Sequence, residues 1–173
     1  ATSTNINGMY LFTNLPAGQD YAVAPMDEPG SLYSCISTLD LILIQRHILG
    51  TQPLTNPYLM IAADVNNSHT ITTLDILILR ARILGITSEP LERWRFIPAD
   101  YVFPVPSNPW FEPFPEHIVM DSLTPGSHPH QDFIAIMVGD VNNCGFTSGL
   151  ELEDRSAPGN LLHLDVADVR VSP

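Results

Sequence analysis

Twelve residues, Asp64-Val65-Asn66-Asn67-Ser68-His69-Thr70-Ile71-Thr72-Thr73-Leu74-Asp75, hold the spacing with the most chemical content in this chain. Oxygen donors fall at positions 1, 3, 5, 7, 9 and 12: Asp64, Asn66, Ser68, the Thr70 carbonyl, Thr72 and Asp75. Calcium is a hard cation that takes six to eight oxygens, and loops of this length supply them at these places. The odd spacing follows from a tight turn, which points alternate side chains inward. Only two donors are carboxylates, and His69 stands at position 6, where a sharp turn favours glycine. Both features predict modest affinity, about 10⁻⁵–10⁻³ M. The competing reading is a polar turn that caps the apolar helix after it.

A second Asp-Val-Asn-Asn run stands at 140–143. The helix preceding the first run has no clean loop of its own. Counting back from Asp40 as position 12 places Pro29, Ser31, Tyr33 and Cys35 at positions 1, 3, 5 and 7, a poor donor set. Its acidic half comes either from Asp27 and Glu28 or from the distant 140–143 run. The latter gives a split second site of Asp140, Asn142 and Asp40. Cys35 and Cys144 flank these two half-loops, and a disulfide between them would bring the halves together. The alternatives for 140–143 are a local loop using Asp140, Asn142, Cys144, Ser148 and Glu151, or a plain turn at a strand end.

The elements that must position these residues are legible as a repeat. STLDLILIQRHILG (37–50) matches TTLDILILRARILG (72–85) at an offset of 35. Each copy carries helix signals: Thr38 or Thr73 as N-cap, Asp40 or Asp75 in the first turn, and Gly50 or Gly85 after the last. The helices are apolar almost all round, which predicts burial against each other or a third element. PLTNPYLMIAA between them reads as a turn or short helix. Strands are expected around Tyr10–Phe12 and Tyr21–Ala24, with LPAGQD as the turn between, then at Arg93–Ile97, His117–Met120, Asp132–Val138 and Leu162–Val171. The fold class is therefore α+β: paired calcium-loop helices with β extensions at both ends that complete sheet or sandwich structure. Three segments are expected: 1–25 as closing strands of a sandwich, 26–145 as the helical domain with a proline- and aromatic-rich insertion, and 146–173 as linker and terminal strand.

Composition limits the function. Nineteen acids face seven bases among 173 residues, for a net charge of -12. That disfavours nucleic acid and anionic membranes as partners and suits cations. All seven bases are arginine, so a lysine nucleophile, a Schiff base, a P-loop lysine and an intrachain lysine–asparagine crosslink are excluded. No apolar run reaches the roughly 20 residues that span a bilayer. GxSxG, HExxH, CxxC and Walker patterns are absent, so no enzymatic activity is expected.

The two TLD-helix-ILG units with DVNN resemble a dockerin module, in which duplicated F-hand calcium loops each precede a helix. WRFIPADYVFP and DFIAIMVGDVNN after the second helix resemble the dockerin-like regions of very large secreted surface proteins of Bacteroidota-type bacteria. GMYLFTNLPAGQDYAVAP resembles the last strands of a Cna-B or carboxypeptidase-regulatory-like sandwich. LLHLDVADVRVSP resembles the opening strand of a following, cohesin-like one. The resemblance implies an extracellular, calcium-binding, non-enzymatic module of an adhesin, filament or cell-surface protein. The implied partners are neighbouring domains of one precursor, a cohesin-like domain, or further copies of the chain joined head to tail by strand complementation. Ser37-Thr38 and Thr72-Thr73 occupy the place from which dockerins recognise cohesins.

Overall fold

A computed structural model describes residues 2–5, 8–26, 35–86, 94–144 and, as backbone, 165–171. In chain order the elements are β1 (Thr2–Ser3), β2 (Tyr21–Met26), α1 (Thr38–Ile48), α2 (Pro57–Ala63), α3 (Thr73–Ile83), β3 (Trp94–Pro98), β4 (Ile118–Met120), β5 (Phe133–Met137) and β6 (Asp165–Val171). The mixed α+β class expected from the sequence is observed.

The repeat folds as two equivalent helices. Ser37 and Thr72 hold extended backbone, and their hydroxyls accept from the Leu39 and Leu74 amides. Asp40 and Asp75, three residues on, reach back to the cap amides and complete two capping boxes. The N-caps thus lie one residue before Thr38 and Thr73, which are the first helical residues. Both helices end alike. Gly50 and Gly85 take φ of 67° and 64°, and Thr51 and Ile86 donate back to the Arg46 and Ala81 carbonyls. Between the repeats, Asn56 caps α2 and Pro57 opens it. The His47 ring accepts the Leu54 amide at 2.9 Å, and burial lowers its pKa, which keeps that nitrogen free to accept.

Two sheets flank the helices. β3 and β5 form an antiparallel pair with Trp94 opposite Met137 and Pro98 opposite Phe133. All of β3 is buried. Ile97 faces the main core, with Ile44 of α1, Ile61 of α2, Leu79 of α3 and Val138. Trp94 and Phe96 pack with Ala135 and Met137 in a second cluster. The other sheet has the order β1-β6-β2-β4, every pair antiparallel. It draws strands from all three sequence segments. Tyr10–Phe12 is not a strand: β2 pairs with β6 and β4, and residues 9–13 join no ladder among the described residues. Instead Tyr10 and Phe12 meet edge to face at 5.9 Å, and the Tyr10 hydroxyl donates to the Gln131 carbonyl.

The helices are not buried all round as expected. Leu39, Ile42 and Leu49 of the first repeat are exposed, and so are Leu74, Leu77 and Leu84 of the second. These are equivalent positions, 35 residues apart. The shared core takes only the Ile44 and Leu79 side of each helix, so the opposite side faces solvent. Asp27, Glu28, Pro29, Ser31 and Tyr33 lie outside the described residues, as do Ser148 and Glu151 of the alternative local loop.

Gly139 joins β5 to the second DVNN run. Its φ is +98°, its amide donates to the Ala62 carbonyl at 2.8 Å, and a Cβ there would stand 2.5 Å from Leu79 Cδ1. Gly139→Ala is therefore expected to destabilise the fold by about 1–3 kcal/mol through overpacking and backbone strain. Thermal melting of the purified variant checks this, and an unchanged midpoint would contradict the close approach.

Candidate metal centre

The loop between α2 and α3 starts where α2 ends, at Asp64. Its buried carboxylate accepts the Ser68 amide on Oδ1 at 2.9 Å and the His69 amide on Oδ2 at 2.7 Å. Asn66 Oδ1 accepts the same Ser68 amide at 3.1 Å. Ser68 Oγ lies 3.4 Å from Asp64 Oδ1, 3.2 Å from the Thr70 carbonyl and 3.1 Å from Thr70 Oγ1. Asp75, wholly buried, accepts the Asn66 amide on Oδ1 at 3.3 Å and the Thr72 amide on Oδ2 at 2.7 Å. Asp64, Asn66, Ser68, Thr70 and Asp75 are thus gathered in one loop. Thr72 differs: its hydroxyl contacts Asp75 Oδ2 at 3.1 Å and accepts the Leu74 amide, so it serves the helix cap.

Burial pushes the Asp64 carboxyl pKa up, and the negative charge of Asp75 adds to this. The Ser68 and His69 amides and the His69 ring oppose it. Two acids held together out of water are stabilised by a nearby cation. Among the described residues no three of His, Cys, Asp and Glu converge. The remaining donors are amide, hydroxyl and carbonyl oxygens, a set that suits calcium rather than a transition metal.

The same pattern recurs at the start of α1, assembled from distant chain. Asp40 Oδ1 accepts the Val141 and Asn142 amides at 2.9 and 3.0 Å. Its Oδ2 accepts the Ser37 amide and hydroxyl at 2.9 and 3.0 Å. Asp140 Oδ1 and Asn142 Oδ1 share the Cys144 amide at 3.0 and 2.9 Å. Asp140 therefore repeats the role of Asp64, Asn142 that of Asn66, and Asp40 that of Asp75. Asn143, with φ of 62°, matches Asn67, with φ of 55°. Backbone donation to the buried Asp40 carboxylate joins the half-loops that Cys35 and Cys144 flank.

Sequence reasoning missed the groups behind the first loop. Arg95 of β3 donates to Asn67 Oδ1 and to Glu116, and Trp110 stacks on His69. No motif connects these positions. The available signal was an arginine inside a strand of otherwise buried residues, which needs an acid near it.

Residues 34–84 match the family model of the dockerin type I domain. The matched segment covers α1, α2, α3 and the Asp64–Asp75 loop, but neither β3 nor the 140–144 half-loop. Dockerin type I domains bind calcium and dock cohesin domains. No curated protein and no solved structure matches the chain.

Truncating Asp40 tests the distant contact. Asp40→Ala removes the acceptor of five donors, the amide and hydroxyl of Ser37, the Val141 amide, and the backbone and side-chain amides of Asn142, and is expected to cost at least about 2 kcal/mol. The Val141 and Asn142 amides should lose hydrogen-exchange protection in the same variant. Retained protection at both would mean that α1 and the 140–144 run do not meet through this carboxylate.

Proposed function

We propose that the chain is a non-enzymatic, calcium-stabilised module of an extracellular surface protein, with a dockerin-type segment that docks a cohesin-like domain. The observation that carries this reading is the doubled oxygen arrangement: one local loop before α3, and one split loop before α1. The donors are Asp64, Asn66, Ser68 and the Thr70 carbonyl with Asp75 at the first, and Asp140 and Asn142 with Asp40 at the second. Calcium supplies charge that these buried carboxylates lack, and binding the folded form alone stabilises it. The exposed apolar residues at equivalent places of the two repeats, Leu39, Ile42 and Leu49 in one and Leu74, Leu77 and Leu84 in the other, support docking. Thr38 and Thr73, exposed at the start of each helix, are free of the capping role that Ser37 and Thr72 perform.

Calorimetric titration of EDTA-stripped protein with calcium tests the reading. Two sites of about 10⁻⁵–10⁻³ M and a raised melting temperature are expected. Asp64→Ala/Asp75→Ala should remove one site and Asp140→Ala the other. No heat and no thermal shift in the wild type would leave both loops as capping turns.

A second reading, a structural filament subunit, is favoured by the four-stranded sheet. β6 lies between β1 and β2, although it follows β2 by well over a hundred residues. The same antiparallel slot suits β6 of another copy, and head-to-tail exchange of that kind builds an open fibre. Light scattering after size exclusion across a concentration series checks this. Exchange predicts a concentration-dependent ladder of species, and a single monomeric mass at all concentrations excludes it.

A further inference from the structure

The Asp64–Asp75 loop divides its side chains by position. Those at 64, 66 and 68 turn their oxygens into the loop. Those at 67 and 69 contact a layer formed by residues 94–117, outside the dockerin-matched segment. Arg95 is the centre of that layer and is almost wholly buried. Its Nη1 donates to Asn67 Oδ1. Its Nε donates to Glu116 Oε1 at 2.7 Å, and Nη2 donates to the same oxygen. The guanidinium carbon stands 5.3 Å from the centre of the Phe114 ring. Beside it, Trp110 lies nearly parallel to the His69 ring, centres 6.4 Å apart and planes 14° apart.

Both loop residues that the layer holds are in the left-handed region, Asn67 at φ 55° and His69 at φ 63°. This region is less favoured for non-glycine residues, though Asn and His tolerate it best, so an outside contact helps to hold the two turns. The same two turns aim the amides that hold Asp64: the Ser68 amide follows Asn67, and the His69 amide reaches Asp64 Oδ2. Fixing Asn67 and His69 from outside therefore fixes the carboxylate inside. Glu116 balances the guanidinium, so the contact is made without leaving an unpaired positive charge beside a cation loop.

We propose that Arg95, with Glu116 and Trp110, is a built-in clamp that preorganises the Asp64–Asp75 loop, making Arg95 a positioning residue for calcium. As far as it concerns calcium, the proposal rests on the reading of that loop as an ion site. Its second half, the ordering of the loop, stands without the ion. An ordered loop loses less conformational freedom when it closes on a ligand, and outer contacts of this kind set metal affinity.

The test compares wild type, Arg95→Met and Asn67→Asp, the last keeping an acceptor for the guanidinium. Amide hydrogen exchange is measured first in EDTA. In Arg95→Met the Ser68 and His69 amides should exchange about tenfold faster, the scale of one lost charge-assisted hydrogen bond. Amides within α3 should be unchanged, and Asn67→Asp should keep the loop protected. Unchanged loop exchange in Arg95→Met overturns the clamp. Equal acceleration throughout α3 and the core also overturns it, because Arg95 would then support the fold at large. Calcium titration follows, with affinity in Arg95→Met expected to fall by about tenfold. A wild type that binds no calcium defeats the ion-site reading, while the exchange data still judge the clamp. A wild type that binds calcium with the same affinity as Arg95→Met defeats the positioning role.

Discussion

Two buried carboxylates, at the third position of α1 and of α3, hold this fold together. Asp40 and Asp75 are both wholly inaccessible to solvent. A lone buried carboxylate is costly, and these two are tolerated because backbone and hydroxyl donors surround them. Each closes a capping box on its own helix, and each also accepts an amide from a DVNN run. One side chain thereby sets where a helix begins, where a loop ends, and how the two lie together. Truncating either would strand polar groups on both elements at once.

The two copies differ in connectivity, and this separates their energetics. Asn66 is nine residues from Asp75, whereas Val141 is 101 residues from Asp40. Loop-closure entropy grows as the logarithm of length, so the second contact costs about 2 kcal/mol more in an unstructured chain. Much of that closure is done by other contacts. β5 pairs with β3, and the Gly139 amide bonds to Ala62 in α2 before the chain reaches Asp140. The oxygen donors of the α2–α3 loop thus come from one local segment, which Arg95 of β3 contacts from outside, while those of the α1 loop are brought together from distant chain next to the β3–β5 sheet. The half-loops are brought together by packing of the intervening chain.

What was legible in the sequence follows the same division. The repeat, the two capping acids, the glycines after each helix and the strands at β3 and β5 all rest on local periodicity and were read closely. The caps were misplaced by one residue because Ser37-Thr38 and Thr72-Thr73 each offer two hydroxyls in a row. The gathering of Asp40 with Asp140 and Asn142 was legible only because DVNN occurs twice. The expectation of a strand at Tyr10–Phe12 followed alternation. It failed because strand formation needs a ladder partner, and β2 pairs instead with β6 and β4 from distant chain. Arg95, Asn67, Glu116 and Trp110 were out of reach for the same reason. Their contacts are set by how β3 crosses behind the loop, and no spacing records that.

The expectation that the helices would be buried on every side failed in an informative way. Apolar content alone could not say which face the core would take. The core closes over Ile44 and Leu79 and ends there, leaving Leu49 and Leu84 at 65% and 60% exposure. A single exposed leucine on a soluble protein needs no explanation. Here three apolar positions are exposed in one repeat and the same three in the other. Local polarity could have been introduced in either copy without disturbing the core, the caps or the carboxylates. Matched apolar exposure on both repeats is the pattern that the proposed docking reading uses. Asp40 and Asp75 fix the start of each helix, and with it the place of each exposed set along its own helix.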